Sequence, residues 1–99
     1  MTDETRLSQD MQRGGQAERL LADETLTAAF TGLETAYLEA WKATAARDTD
    51  ARERLWQAIQ IVGKVRSQLA SFASDGRIAK AEVDQVATLG ERKKIFGIV

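Results

Sequence analysis

The sequence predicts an all-α protein: an antiparallel helical hairpin of two long helices with short flanking helices, completed by oligomerisation. Three observations carry that expectation. Proline is absent from all 99 residues, and strong helix formers (Ala, Glu, Leu, Arg, Gln, Lys) dominate the chain. Apolar residues recur at steps of three and four through two long stretches, the period of a helix with one buried face. β-Branched residues never cluster into alternating runs, as they would in a half-buried strand.

Taken in order, residues 1–12 read as a flexible polar N-terminus. Met11, Ala17, Leu20 and Leu21 suggest a short first helix interrupted by Gly14 and Gly15. Each glycine costs a helix interior about 0.8–1 kcal/mol against alanine, so this segment reads as a marginal helix or a hinge. Asp23 is placed to cap the next helix, with Glu24 adding negative charge at its positive end. Leu26, Phe30, Leu33, Tyr37 and Trp41 then form one stripe of a helix expected to run to about Ala45.

Arg47 to Asp50 make a polar turn. Asp50 with Glu53 fits a capping box, and Asp48 and Thr49 are alternative caps. The second stripe is Leu55, Ile59, Val62, Val65, Leu69 and Phe72, with Gly76 expected to end the helix after Asp75. Ala79, Val83, Val86 and Leu89 predict a last short helix stopped by Gly90. The expected plan is thus a hairpin domain over 13–90 and a basic-apolar tail over 91–99.

Two long helices joined by a short turn pack antiparallel. Trp41 and Trp56 stand equally far from the turn and are expected at one level. Gly32 and Gly63 fall near mirror positions, where they either let the helices approach or are merely tolerated. A two-helix hairpin cannot enclose rings as large as Phe30, Tyr37, Trp41 and Trp56. Either the short helices cover them or a second chain does, and a symmetric four-helix bundle is the natural form. Tryptophan and tyrosine are also common interface anchors.

Composition sets the function classes. The chain has neither histidine nor cysteine. Ser–His–Asp and Cys–His nucleophiles and zinc sites of the usual kind therefore cannot be assembled. The carboxylates fall at spacings that scatter them over helix surfaces, so the expectation is a non-enzymatic protein with no cofactor and no metal. Asp75-Gly76-Arg77-Ile78 with Glu82 has the shape of half a calcium loop. Its first and third ligand positions would be Ser71 and Ala73, and alanine cannot ligate. Gly14-Gly15 lacks the GK[ST] ending of a phosphate loop.

The formal net charge is -1, but residues 1–50 are acidic and residues 51–99 basic. Such asymmetry favours antiparallel pairing of the halves or steers a charged partner. Arg52, Arg54, Lys64, Arg66, Arg77 and Lys80 give the second half its positive bias. With no helix-turn-helix signature, and an acidic first half beside them, they argue against direct nucleic-acid binding. The polar, acidic start MTDETRLSQD does not read as a signal peptide, and no apolar run approaches the ~20 residues a bilayer requires.

The blocks RGGQAERLL, AFTGLETAYLEAW, DTDARERLWQAIQIVGKVRSQL and DGRIAKAEV, over about residues 13–83, resemble a group of small uncharacterised helical proteins of tailed bacteriophages and prophages. The shared features are the arginine-glycine start, Leu-Glu-x-x-Tyr-x-x-x-Trp, and Arg-Glu-x-Leu-Trp after an acidic turn. The resemblance implies a phage-borne accessory protein in the bacterial host cytoplasm, or within the phage particle. It carries no catalytic residue.

The chain closes on ERKKIFGIV. Arg92, Lys93 and Lys94, followed by Ile95, Phe96, Ile98 and Val99, either fold back onto the domain or dock on a partner. The apolar part of these tail residues, within 95–99, is too short to span a membrane. With Trp41 and Trp56 they make up the expected partner-binding set. The partners expected are a second copy of the chain and a phage structural or packaging protein, in an accessory role in particle assembly or DNA packaging. The alternative is a small inhibitor of host defence, binding a host protein or a nucleotide signal through Arg13, Arg52 and Arg54.

Overall fold

The computed structural model describes residues 3–95, with side chains through residue 90. Three helices make it up: α1, Asp3–Ala22; α2, Glu24–Ala43; and α3, Thr49–Ile95. Among the described residues there is no strand. The helices pack to form a rod of 75 × 26 × 19 Å. Its radius of gyration is 21.5 Å, against about 13 Å for a compact domain of this length.

The long axis belongs to α3, whose 47 residues span about 70 Å at 1.5 Å each. Both α1 and α2 lie along it and run opposite to it. Glu34 pairs with Arg66, and Trp41 meets Arg52, so α2 descends as α3 rises. Glu18 pairs with Arg77 further along, so α1 continues the same line towards the far end of α3. The acidic half of the chain thus lies against the basic half.

One residue separates α1 from α2. Asp23 is extended, at φ -72° and ψ 120°, and its N–H donates to the Leu20 carbonyl at 3.1 Å. Its carboxylate accepts from the Leu26 N–H at 2.8 Å, the cap the sequence predicts. At the other end, the Thr44 hydroxyl and N–H both donate to the Trp41 carbonyl, at 2.6 and 3.1 Å. Asp48, not Asp50, caps α3: its carboxylate accepts from the Ala51 N–H at 3.3 Å. Asp50 lies in the first turn, where its charge suits the helix end.

Three expectations are corrected. The stretch read as a loose N-terminus is helical from Asp3. Gly76 does not end a helix, because α3 runs through it and through Gly90 to Ile95. The stretch Ser71–Glu82 is accordingly helix and not a loop. Nor do Gly32 and Gly63 set the helix approach, since a Cβ on either would meet nothing within 4 Å.

The close approach is at Gly14 and Gly76. A Cβ on Gly14 would lie 2.6 Å from the Gly76 Cα and 2.9 Å from the Phe72 carbonyl oxygen. One on Gly76 would lie 2.7 Å from the Gly14 Cα and 3.0 Å from the Asp10 carbonyl oxygen. Backbone meets backbone here, so glycine's missing Cβ is the condition for contact. Ala17, Ala73 and Ala79 are buried around this crossing and extend it with small side chains. Their dispersion contacts offset the helix-propensity cost that made these glycines look like breaks in the sequence.

Gly14→Ala and Gly76→Ala are each expected to destabilise the fold despite alanine's better propensity. The added methyl meets main chain that cannot swing aside, at a cost of about 1–3 kcal/mol. Gly63→Ala, opening on free space, is expected to stabilise by about 0.8–1 kcal/mol. Thermal unfolding followed by circular dichroism checks both signs. A rise in Tm for Gly76→Ala would show that the helices do not touch at this point.

Candidate interaction surface

No large side chain is fully buried among the described residues. Of the predicted stripes, Val62 is buried and Leu26, Phe30, Tyr37, Trp41, Leu55, Ile59, Leu69 and Phe72 are half-buried. Leu33 and Val65 are exposed. The stripes therefore meet as a seam with open flanks.

Three arginines cover aromatic rings along this seam. Arg52 lies 3.8 Å above the Trp41 ring, Arg13 5.1 Å from the Phe72 centroid and Arg66 5.2 Å from the Phe30 centroid. A guanidinium is planar, weakly hydrated and carried on an apolar stem. It can shield a ring from water while its own charge stays wet.

Two of these arginines are also tied by hydrogen bonds. Arg52 donates from Nη1 to Thr44 Oγ1 at 3.0 Å, and that hydroxyl donates on to the Trp41 carbonyl. The turn between α2 and α3 is therefore closed by one continuous contact: ring, guanidinium, hydroxyl, carbonyl. Arg66 donates to Thr31 Oγ1 at 3.1 Å and pairs with Glu34 Oε1 at 3.1 Å. The pair is an ion contact without hydrogen-bond geometry, and Glu34 Oε1 is buried with no hydrogen-bond partner.

Trp41 and Trp56 do come together at the loop end. They line an open recess of about 490 Å³ with Ala46, Thr49, Arg52 and Glu53. Trp41 is held under Arg52, whereas Trp56 is 54 % exposed. The α3 backbone continues through Arg92, Lys93, Lys94 and Ile95. The side chains of these four, and all of Phe96, Ile98 and Val99, lie outside the described residues.

The arginines weighed for a nucleotide do not converge. Arg13 sits on Phe72 and Arg52 on Trp41, and the α3 members of these two contacts, Phe72 and Arg52, are twenty residues apart, about 30 Å along the helix. Among the described residues no three acidic side chains gather as metal ligands. No described helix is long and apolar enough to cross a membrane.

Sequence reasoning missed one surface. Leu7 and Met11 of α1 face Val83 and Val86 of α3 across a groove of about 640 Å³, rimmed by Asp3, Glu4 and Glu82. The signal was present as Leu7, Met11, Gly14, Ala17 and Leu21 at steps of four, three, three and four. It was hidden because two of the five are small enough to pass for non-core residues.

Compared with models of protein families, with curated proteins and with solved structures, the chain matches none.

Arg52→Ala is expected to loosen the turn by about 1 kcal/mol, lowering Tm by about 4–8 °C. Arg52→Lys should recover less than half of that, because an ammonium neither stacks flat nor reaches Thr44 in the same fork. In a Trp56→Phe background, Trp41 emission should shift to the red in Arg52→Ala. Unchanged emission would mean that the guanidinium does not cover the ring.

Proposed function

We propose that this chain is a non-enzymatic interaction protein, a helical hairpin rod whose outward apolar side chains are covered by other chains. The observation that carries the reading is surface. The chain exposes 7715 Å², whereas a compact monomer of 10.9 kDa exposes about 5,600 Å². Leu20, Leu33, Leu38, Trp56, Ile61, Val65, Ile78, Val86 and Leu89 all contribute to that surface. Exposed large apolar side chains in such number along a rod support protein–protein contact. The absence of histidine and cysteine supports a role without catalysis.

The sequence resemblance supplies the biological setting: an accessory to phage particle assembly or DNA packaging, in the host cytoplasm or within the particle. Trp56 at the loop end and the basic-apolar tail are the contacts proposed for a phage structural or packaging protein. The host-defence alternative keeps its protein-binding form. Its nucleotide form is disfavoured by the separation of Arg13 from Arg52.

Affinity capture from phage-carrying cells tests this reading, comparing the full chain with one ending at Lys94 and with Trp56→Ala. Portal, capsid or terminase proteins are expected with the full chain and depleted about tenfold or more with either variant, the effect of losing an anchor worth about 1.4 kcal/mol or more. Capture of a host defence protein instead would replace the assembly role with the inhibitor role. Recovery of neither would refute both.

A further inference from the structure

The seam between α1 and α3 ends before α3 does. Gly14 meets Gly76 and the two helices run antiparallel, so Asp3, eleven residues before Gly14, lies level with position 87. Beyond that level α3 continues to Ile95, an overhang of about 12 Å with no described helix beside it. Where α1 begins, the seam opens into the groove floored by Leu7, Met11, Val83 and Val86. Val86 is 68 % exposed and Leu89, on the overhang, 50 %. Among the described residues three carboxylates line the groove, Asp3, Glu4 and Glu82, against one guanidinium, Arg6.

One segment of the chain has the complementary chemistry. Arg92, Lys93 and Lys94, with Glu91 the one anion beside them, lead into Ile95, Phe96, Ile98 and Val99. Apolar residues behind a cationic stretch match an apolar floor behind an acidic rim. The segment cannot fill the groove of its own chain. Ile95 lies nine residues past Val86, about 13–14 Å along the helix. Residues 96–99, fully extended, span at most about 13–14 Å. Doubling back spends part of that length on the turn, so Phe96 and Ile98 stop short of Leu7 and Val83.

We infer that the groove is filled by residues 91–99 of a second copy, in a two-fold contact at the α1 ends of two rods. The inference rests on the proposed reading that other chains cover the exposed apolar side chains, and it names one surface and its occupant. Set antiparallel about an axis near Gly90, each overhang runs beside the other and delivers its segment to the other copy's groove. Gly90 puts no side chain at the crossing. Lys93 and Lys94 then come level with positions 87 and 86 of the other copy, where Asp3 and Glu4 begin α1. The apolar residues beyond them are carried towards Val83 and Leu7. One operation fills both grooves, so the contact closes at two copies. A segment held in this way is withheld from a phage protein, so the two contacts exclude each other.

Complementary charge reversal in the full chain tests this. Sedimentation of the unaltered chain is expected to give twice the 10.9 kDa chain mass. Glu4→Lys with Glu82→Lys, and separately Lys93→Glu with Lys94→Glu, should each weaken self-association by about tenfold or more, because like charges then face each other. An equimolar mixture of the two variants should recover association, since each segment then meets a groove of opposite sign. The chain has no native cysteine, so crosslinking reads the same contact even where a charge-reversed variant fails to fold. A short bis-maleimide should join a chain carrying Glu4→Cys to one carrying Lys94→Cys, at doubled mass. A chain carrying both cysteines that links only to itself refutes the inference, with the segment on its own domain. A dimer indifferent to both reversals, or one that the mixture does not restore, refutes the groove contact and leaves self-association standing. A chain that stays monomeric refutes the groove contact and self-association together, while capture of a phage protein is decided by its own experiment.

Discussion

Two helices side by side have a seam but no interior. A residue on the seam can lose contact with water on one side only, and a large side chain there keeps an open flank. That constraint governs this molecule because neither α1 nor α2 leaves the line of α3, so the rod is nowhere more than a pair of helices thick. Hydrophobic burial, the main favourable term in folding, is correspondingly thin. Val62 is the one large apolar side chain among the buried residues described.

The two halves of the seam answer the constraint differently. Between α1 and α3 the side chains shrink until main chain touches main chain, at Gly14 and Gly76, with Ala17, Ala73 and Ala79 around them. Stability there comes from dispersion between closely packed backbones, and the register is fixed because a shift along either helix would drive a Cβ into the other. Between α2 and α3 the side chains grow large, and the rings stand partly proud of the seam. Arg52 and Arg66 then act as lids, each adding a hydrogen bond to a threonine hydroxyl that holds the guanidinium in place. Arg13 covers Phe72 on the α1–α3 half of the seam. The ion pairs Glu18–Arg77 and Glu34–Arg66 bring the acidic and basic halves together. Exposed pairs of this kind contribute little each, about 0–1 kcal/mol, so they select the antiparallel arrangement more than they stabilise it.

A seam that cannot bury its own apolar residues leaves them exposed. This connects the shape to the proposed role. The extended shape and the exposed apolar side chains are two consequences of the same shortage of interior, and under the proposed function other chains would cover those side chains. The loop-end recess with Trp56 and the groove beside Leu7 and Met11 lie towards opposite ends of the rod.

The sequence by itself determined the helical class, the stripes of α2 and of the first half of α3, the cap at Asp23 and the sign of each half. Each of these rests on neighbours three or four residues apart, or on composition, and such information is local. Only the tertiary structure decided what the glycines do. Gly76 after Asp75 has the local chemistry of a helix end, and Gly14-Gly15 that of a hinge. Both are interior to helices because Gly14 and Gly76 meet across the seam, about sixty residues apart in the chain, and a glycine read with its local neighbours alone has the chemistry of a break. The same holds for the cap at Asp48, chosen over Asp50 by where the turn must close onto Trp41 and Arg52.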